Sequence, residues 1–196
     1  MYNYTMKTGF LLILTGSSAS GKNTISKKIL AKYPNFSKVI TTTTRTPRPG
    51  ETNGVDYYFT DPKKFKEMVK TGEIMEYAQY SGNFYGTSKS QIQQVLEGKD
   101  LIWIIEATMA SKAKEFFPSY NTLVIYISLP ENEAIRRLTT RGMNEEVIQQ
   151  RLEQDRINWQ NLKEKFEFVI ANNDGHLDET VEKVIKLLPS GLVSQQ

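Results

Sequence analysis

The chain has 196 residues, of which 39% are hydrophobic and 24% charged, with a formal net charge of +3 and no cysteine. This length suits one α/β domain with a sizeable core and is short for two domains. The lack of cysteine excludes disulfides, thiolate nucleophiles and cysteine-ligated metals. So small a net charge does not indicate dedicated nucleic-acid binding.

The first apolar segment of the chain is too short to cross a membrane. It covers residues 9–14, far fewer than the roughly 20 residues of a membrane-spanning helix, and no small-residue cleavage site follows it. We therefore expect no membrane partner and no nucleic-acid partner. The composition without cysteine favours a reducing compartment and hence a cytoplasmic location. Nothing in the sequence indicates an oligomeric state.

In chain order, the first predicted elements are a strand, a loop and a helix. Residues 10–14 are continuously apolar, residues 16–21 are small and polar, and a helical pattern with Ile25, Ile29 and Leu30 follows. Later apolar runs, which we predict to be strands, lie at residues 39–40, 101–105, 123–127 and 166–171. Predicted helices lie at residues 131–141, 144 to about 165, and 177–188. Short strands without alternation that are separated by helices predict a doubly wound α/β fold around a parallel sheet.

A different composition interrupts this pattern between residues 41 and 98. The segment begins with Thr, Arg, Pro and Gly, continues with tyrosines, and includes a helix that starts at Asp61 and Pro62 and carries Phe65. We interpret it as an inserted substrate-binding lobe. Both ends of the chain are expected to be loose tails.

A phosphate-binding loop is the strongest motif. Gly16 to Lys22 follow the pattern Gly, any four residues, Gly, Lys, between a predicted strand and a predicted helix. Small residues let backbone N–H groups turn towards phosphate oxygens, the helix N-terminus adds partial positive charge, and Lys22 reaches the β- and γ-phosphates. The predicted ATP-binding residues of this loop are Gly16, Ser17, Ser18, Ala19, Ser20, Gly21, Lys22, Asn23 and Thr24.

The predicted lobe carries groups suited to a monophosphate. Arg45 and Arg48 lie three residues apart on a segment stiffened by prolines, so that two guanidinium groups can converge on one phosphate. Tyr57 and Tyr85 lie near turns and offer phenol hydroxyls as further donors. Taken singly, each of these side chains could instead be an exposed surface residue or a packing residue without a role in binding.

These segments, together with Glu76, resemble the GMP-binding lobe of the guanylate kinase family, and the similarity runs from about residue 9 to 188. The resemblance implies a P-loop NTPase fold, with a parallel sheet flanked by helices, an inserted mixed GMP-binding lobe and a helical lid. It implies one domain at residues 8–190, with a core at about 8–40 and 99–190, a lobe at 41–98, a lid at about 137–151, and tails at 1–7 and 191–196.

The same resemblance implies an activity and a set of site residues. The activity is the phosphorylation of GMP, and by expectation dGMP, by ATP with Mg²⁺. Arg45, Arg48, Tyr57 and Tyr85 would hold the GMP phosphate, while Thr41, Glu76, Thr87 and Glu106 would contact guanine. Asn172 would lie near adenine, and Lys22, Arg48 and the lid arginines Arg137, Arg141 and Arg151 would stabilise the transferring group. Without the resemblance, the lid arginines are those of an ordinary charged helix surface.

The chemistry of guanine agrees with this assignment. Guanine presents N1–H and N2–H₂ donors beside an O6 acceptor, so a carboxylate such as Glu76 pairs with the donors. A buried carboxylate that faces the wrong base edge is costly, which predicts a preference for guanine of roughly 10³ or more.

The magnesium side departs from the family pattern. Asn23 replaces the usual Ser or Thr after the lysine, and Ile104 replaces the first of two acids that the family has here, the second being the longer Glu106. Asn23 and Thr24 are therefore candidate ligands, with water, ATP oxygens and Glu106 as the other candidates for the shell.

Two other functions stay open from the sequence. One is a kinase of ribose bisphosphates, which the residues around Asn172 resemble; the other is a non-catalytic module that binds phosphorylated peptides. The retained Glu76 and Thr87 argue against the first, and the intact loop with Lys22 argues against the second. His176 is assigned no catalytic role, and Trp103 and Trp159 are interpreted as packing residues.

Overall fold

The structure, a computed structural model, describes residues 9–80, 82–118 and 120–193. The predicted tail at residues 1–7 and the last three residues of the predicted tail at 191–196 lie outside this part of the chain. The strands are β1 (Phe10–Gly16), β2 (Phe36–Lys38), β3 (Thr42–Thr43), β4 (Tyr58–Phe59), β5 (Ile74–Tyr80), β6 (Asn83–Ser88), β7 (Asp100–Ile104), β8 (Asn121–Ser128) and β9 (Phe168–Ala171). The helices are α1 (Lys22–Lys32), α2 (Pro62–Lys70), α3 (Lys89–Gln93), α4 (Ala107–Ala110), α5 (Ala113–Phe116), α6 (Glu131–Thr140), α7 (Glu145–Leu162), α8 (Leu177–Lys186) and α9 (Ser190–Val193), with a 3₁₀ turn at Lys163–Lys165.

A parallel five-stranded sheet forms the core, in the order β2-β7-β1-β8-β9. The central strand β1 pairs along its length with β7 and β8, and its apolar residues are almost completely buried. Because side chains alternate along a strand, Leu12 and Leu14 pack against α1 and α8, while Leu11 and Ile13 pack in the cluster that contains α4 and α5. Helices on both faces confirm the predicted α/β fold.

A second, mixed sheet is formed by the chain between β2 and β7. Its strands have the order β4-β3-β6-β5. Strand β3 pairs parallel to β4 and antiparallel to β6, and β6 pairs antiparallel to β5. Helix α2 begins as predicted, since Asp61 accepts a hydrogen bond from the backbone N–H of Lys64 at 2.9 Å and Pro62 follows it. Phe65 of this helix is fully buried and stacks on Phe84 with ring centroids 5.4 Å apart.

The segment predicted to be a lid, residues 137–151, covers the end of α6 and the start of α7. A turn at Gly142, with a φ of 73°, separates them, and Asn144 caps α7 by accepting from the backbone N–H of Val147 at 3.0 Å. Between them lies a small core of their own, which consists of Leu129, Ala134, Leu138, Ile148 and Leu152.

Several element bounds differ from the sequence-based ones. The second strand lies at 36–38 rather than 39–40, although Val39 still donates its backbone N–H to Ile102 at 2.9 Å. Part of the predicted carboxy-terminal tail is helical as α9, because Leu192 packs against the main core. Among the described residues, no helix combines the length and hydrophobicity that a membrane span requires.

Candidate active site

A cavity of about 300 Å³ opens between the two sheets, at the carboxyl ends of β1 and β7. Most of the predicted site residues line it: Gly16, Ser18, Ala19, Ser20, Gly21, Lys22, Asn23, Thr24, Thr41, Arg45, Arg48, Tyr57, Glu76, Tyr85, Glu106, Arg141 and Arg151. Ser17, Thr87, Arg137 and Asn172 do not line it. The position agrees with the rule that open α/β sheets bind ligands at the carboxyl ends of their strands.

The phosphate loop connects β1 to α1 and depends on two glycines. Gly16 has a φ of 130°, and a Cβ there would lie 2.0 Å from the carbonyl oxygen of Ile127. Gly21 has a φ of 88°, and a Cβ there would lie 2.4 Å from the amide nitrogen of Asn172. Both positions therefore require glycine on conformational and steric grounds.

Lys22 closes the loop from inside. Its ammonium group donates to the carbonyl oxygens of Gly16 and Ser17 at 2.8 Å each, and to the hydroxyl of Ser20 at 3.3 Å. Burial lowers the pKa of Lys22 to about 8, against the opposing effect of the nearby carboxylates Asp155 and Glu106. The ammonium is thus held by oxygen acceptors of its own loop, and its pKa lies below the usual value for lysine.

Asp155, which the sequence analysis did not identify, contacts the phosphate loop directly. Its carboxylate accepts from the backbone N–H of Ser18 at 2.7 Å and lies near Lys22. Burial raises the pKa of Asp155, and hydrogen bonds from Ser18 oppose that effect. Asp155 follows Arg151 by four residues on α7 and so shares its helix face. That spacing is the one sequence signal that could have identified it.

Two neighbouring residues fix the side chain of Arg45. Its guanidinium group forms two hydrogen bonds to Glu51, at 2.8 and 2.9 Å, and lies 5.3 Å from the ring centre of Tyr57. Tyr57 packs edge to face against Tyr85, with ring centroids 6.2 Å apart. Glu51 also accepts from the backbone N–H of Arg48 at 2.8 Å, which orders the whole turn. The predicted phosphate-binding residues are thus held together at one wall of the cavity.

Glu76 also lines the cavity, from strand β5 of the mixed sheet. An irregularity in the pairing of β5 with β6 lies between Ile74 and Glu76, and Glu76 then pairs with Thr87. Burial raises the pKa of Glu76 to about 7, and Glu106 adds to this effect, while hydrogen bonds from the hydroxyl and backbone N–H of Thr87 oppose it. Thr87 itself is fully buried, so it contacts Glu76 instead of the cavity.

Glu106 caps α4 at the floor of the cavity. One carboxylate oxygen accepts from the backbone N–H of Thr108 at 3.0 Å, and the other accepts from the amide of Asn158 at 3.1 Å. Asn158 in turn accepts from Gln154 at 3.1 Å. Asn158 lines the cavity as well and was not identified from the sequence, because polar residues of a long helix give no local signal of burial.

The three arginines that the sequence assigns to a lid fall into two groups in this structure. Arg141 and Arg151 line the cavity, and the pKa of Arg141 is lowered by burial and by the neighbouring cations Arg48, Arg137 and Arg151. Arg137 instead donates to the carbonyl oxygens of Ala19 at 3.1 Å and Asn172 at 2.9 Å, and pairs with Asp174. Arg137 therefore connects α6 to the phosphate loop in this structure.

Asn172 supports the same loop from below. Its side chain is buried, and its amide donates to the carbonyl oxygen of Ser20 at 2.8 Å. Ser17 similarly lies off the cavity wall, with its hydroxyl 3.4 Å from that of Tyr126. Asn172 thus contacts the phosphate loop, whereas the hydroxyl of Ser17, a residue of that loop, contacts Tyr126, which lines the cavity.

The donor set near α1 is compatible with magnesium. Asn23 and Thr24 are exposed at the start of α1 and line the cavity, and each offers one neutral oxygen. Within the described part of the chain, no group of three or more His, Cys, Asp or Glu side chains could hold a metal. Magnesium commonly keeps several waters and takes few protein ligands beside substrate phosphates, so these two oxygens fit such an ion.

Comparison with known proteins identifies relatives. The family model "Guanylate kinase" matches residues 8–190. The chain is 37% identical over 182 residues to the guanylate kinase of Lactococcus lactis subsp. lactis (strain IL1403), an alignment that covers 91% of this chain and 87% of that protein. It is 39% identical over 182 residues to the guanylate kinase of Prochlorococcus marinus (strain MIT 9312), which covers 91% and 96%.

Solved structures agree with the family model. The crystal structure of guanylate kinase from Anaplasma phagocytophilum matches with a TM-score of 0.73 and 26% identity, over 96% of this chain and 89% of that one. A shikimate kinase from Bacteroides thetaiotaomicron matches with a TM-score of 0.54 and 15% identity, over 91% and 97%, which shows a shared fold alone. On the family model and on identities above a third over nine tenths of its length, the chain belongs to the guanylate kinase family.

Proposed function

We propose that this chain transfers the γ-phosphoryl group of ATP to the phosphate of GMP, giving ADP and GDP, and that dGMP serves as an alternative acceptor. One observation carries the proposal. The phosphate loop with Lys22, the arginine and tyrosine group of the lobe, and the carboxylate of Glu76 all face a single cavity. Donor phosphates, acceptor phosphate and acceptor base are thus each provided with complementary chemistry within one site.

The donor side acts by positioning and charge. Backbone N–H groups of residues 16–24 and the start of α1 bind the ATP phosphates. Lys22 exchanges its bonds to loop carbonyls for bonds to phosphate oxygens, and Arg48, Arg141 and Arg151 neutralise the transferring group. Phosphoryl transfer needs little covalent chemistry from the protein, so no side-chain nucleophile is required. Asn172 and Arg137 support the loop against which adenosine phosphates bind.

The acceptor side orients GMP for in-line attack. Arg45, Arg48, Tyr57 and Tyr85 hold its phosphate, so that a phosphate oxygen faces the γ-phosphorus of ATP. Glu76 accepts from N1–H and N2–H₂ of guanine, with Thr41 and Glu106 beside it and Thr87 behind it. An ionised Glu76 is needed for this pairing, and the GMP phosphate remains the nucleophile.

Magnesium, when bound with ATP, supplies positive charge to the phosphate oxygens. We propose that the side-chain oxygens of Asn23 and Thr24 hold it together with water. We further propose that one domain spans residues 8–190, with the core, lobe and lid divided as the sequence indicates. The comparisons name guanylate kinases and favour neither a ribose bisphosphate kinase nor a phosphopeptide-binding module.

A coupled assay of ADP release tests the proposal. The purified chain is supplied with ATP, magnesium and GMP, dGMP, AMP, UMP or ribose 1,5-bisphosphate in turn. We expect turnover with GMP and dGMP, and its loss in Lys22→Ala, because the loop then lacks its only side-chain cation. Turnover with ribose 1,5-bisphosphate alone, or GMP binding without any ADP release, would contradict the proposal and support one of the two alternatives.

A further inference from the structure

Trp103 lies on the strand next to the centre of the core sheet and is connected to the part of the lobe that carries Glu76. It belongs to β7 and is fully buried, and its indole N–H donates to the hydroxyl of Thr87 at 3.0 Å. Thr87 is also fully buried, and it lies on β6 of the lobe sheet. This hydrogen bond therefore joins the two sheets at the position where the lobe presents Glu76 to the cavity.

The bond determines the direction of the next one. A threonine hydroxyl has one proton and two acceptor lone pairs, whereas an indole N–H is a donor only. Once the indole N–H occupies one lone pair, the hydroxyl proton is directed to another acceptor. Glu76 pairs directly with Thr87 across strands β5 and β6. Its carboxylate is that acceptor, and it also accepts from the backbone N–H of Thr87. The carboxylate is thus held by two donors on its lobe side.

We infer that Trp103 is a positioning residue for guanine recognition, acting through Thr87 to hold the carboxylate of Glu76 towards the cavity. The inference rests on the proposed function, because it names how this chain orients the group that recognises the base. Consecutive hydrogen bonds from indole to hydroxyl to carboxylate polarise one another in a buried site. The lone pairs of Glu76 that Thr87 does not use are left for the N1–H and N2–H₂ donors of guanine.

The pH dependence gives a signature that packing alone does not. A hydrogen bond to the ionised carboxylate lowers the pKa of Glu76, and its loss raises that pKa further above its usual range. The charged group that acts on Glu76 is Glu106, which follows β7. The other charged side chains that line the same cavity are Lys22, Lys38, Arg45, Arg48, Asp56, Arg141, Arg151 and Asp155. None of these changes in a Trp103 variant. A shift in the pH at which GMP binding weakens therefore reports on Glu76.

Four variants separate positioning from packing. Trp103→Phe keeps an aromatic ring but removes the indole N–H. Thr87→Val removes the hydroxyl at nearly equal side-chain size, and Thr87→Ser keeps the hydroxyl but removes the methyl group. Phe117→Leu is the matched control, because Phe117 packs against Trp103 with ring centroids 5.8 Å apart. This substitution loosens the same core but leaves the hydrogen bond between Trp103 and Thr87 intact. For each, kcat and the KM values for GMP and ATP are measured from pH 5.5 to 9, with the thermal midpoint.

We expect Trp103→Phe to raise the KM for GMP about fivefold, the size of one lost hydrogen bond. The KM for ATP should stay unchanged, and the pH below which kcat/KM for GMP declines should move upward. Thr87→Val should have the same effects, whereas Thr87→Ser, which keeps the hydroxyl, should behave like the wild type. The double variant Trp103→Phe with Thr87→Val should be no worse than Thr87→Val alone. Phe117→Leu should lower the thermal midpoint alone.

The inference is overturned if Trp103→Phe behaves like Phe117→Leu, or if its effect multiplies with that of Thr87→Val. A wild-type chain that does not phosphorylate GMP would count against the proposed function instead. In that case calorimetric titration with GMP compares the same variants. A weaker affinity in Trp103→Phe then supports the inference, and equal affinities or no GMP binding at all overturn it.

Discussion

The low pKa of Lys22 predicts how ATP use depends on pH. Burial disfavours the ammonium form and brings the pKa to about 8, so the side chain is charged below that pH and neutral above it. A neutral amine does not attract phosphate. We expect kcat/KM for ATP to change little below about pH 7 and to fall as the pH rises through about 8, since this parameter reports groups of the free enzyme. The measurement is the ATP dependence of initial rates from pH 6 to 10.

A substitution distinguishes Lys22 from other titrating groups. Lys22→Arg keeps a positive charge at every pH in this range. Its activity should be lower overall, because the larger group fits the loop less well, but the decline above pH 8 should disappear. An unchanged decline in Lys22→Arg would assign it to a different group.

Asp155 occupies one backbone donor of the phosphate loop. Its carboxylate accepts from the N–H of Ser18, a donor that we expect the ATP phosphates to need, so Asp155 should compete with ATP for it. We expect Asp155→Ala to lower the KM for ATP by about tenfold or more, the value of one charge-assisted hydrogen bond that no longer has to be displaced. Steady-state kinetics with saturating GMP measure this change.

Two further variants separate the charge of Asp155 from its contact. Asp155→Asn retains an acceptor for Ser18 but removes the charge, so its KM for ATP should lie between those of the wild type and Asp155→Ala. Glu153→Ala, on the same helix and paired with Arg156, should leave the KM unchanged. A higher KM in Asp155→Ala would show that the carboxylate assists ATP binding.

At the scale of elements, helices α6 and α7, which contain the proposed lid, depend on a small core of their own. Leu138 of α6 is fully buried among Leu129, Ile148 and Leu152, and α6 ends at the turn that holds Arg141. Leu138→Ala should cost about 3 kcal/mol of unfolding free energy and should also reduce kcat, because the lid arginines lose their fixed position. Leu188→Ala, in the main core, provides the comparison. Leu188→Ala should lower the free energy of unfolding by a similar amount, measured by denaturant titration. It should leave kcat unchanged at temperatures well below unfolding, measured by steady-state kinetics.

Elements with strong local patterns were predictable from the sequence. The strand, loop and helix around Gly16 and Gly21 were predictable because glycine and apolar residues determine the backbone there. The two-residue strands β3 and β4 were not, since pairs of residues show no periodicity and form only when the sheet does. The short helices α4 and α5 were missed for the same reason.

The candidate site was predictable where its residues are contiguous in motifs, as at the phosphate loop and Arg45. It was not predictable where tertiary packing decides. In the sequence, Asp155 and Asn158 resemble the polar residues of any exposed helix. They line the cavity only because α7 packs against the core with this face. Thr87 was expected at the cavity but is buried behind Glu76, a depth that depends on how β6 packs against Trp103.

On the scale of the whole molecule, the cavity concentrates positive charge that the small net charge of +3 conceals. Arg48 comes from the lobe, Arg141 from the lid and Lys22 from the core. Arg48 and Arg141 are close enough for each charge to disfavour the other, and Arg48 contributes to the lowered pKa of Arg141. Anionic phosphates between these groups relieve the repulsion. Binding of one nucleotide should therefore favour binding of the other.

We expect GMP to bind more tightly when a non-hydrolysable ATP analogue occupies the donor site. The coupling should be about fivefold or more, within the usual range for linked sites. Calorimetric titration with GMP, in the presence and absence of the analogue, measures it, and the reverse titration must give the same factor. Arg141→Ala should reduce the coupling while retaining GMP binding itself, because GMP still has Arg45 and Arg48. Equal GMP affinities with and without the analogue would mean that the lobe and lid cations do not share a phosphate, and the charge-repulsion account would then be wrong.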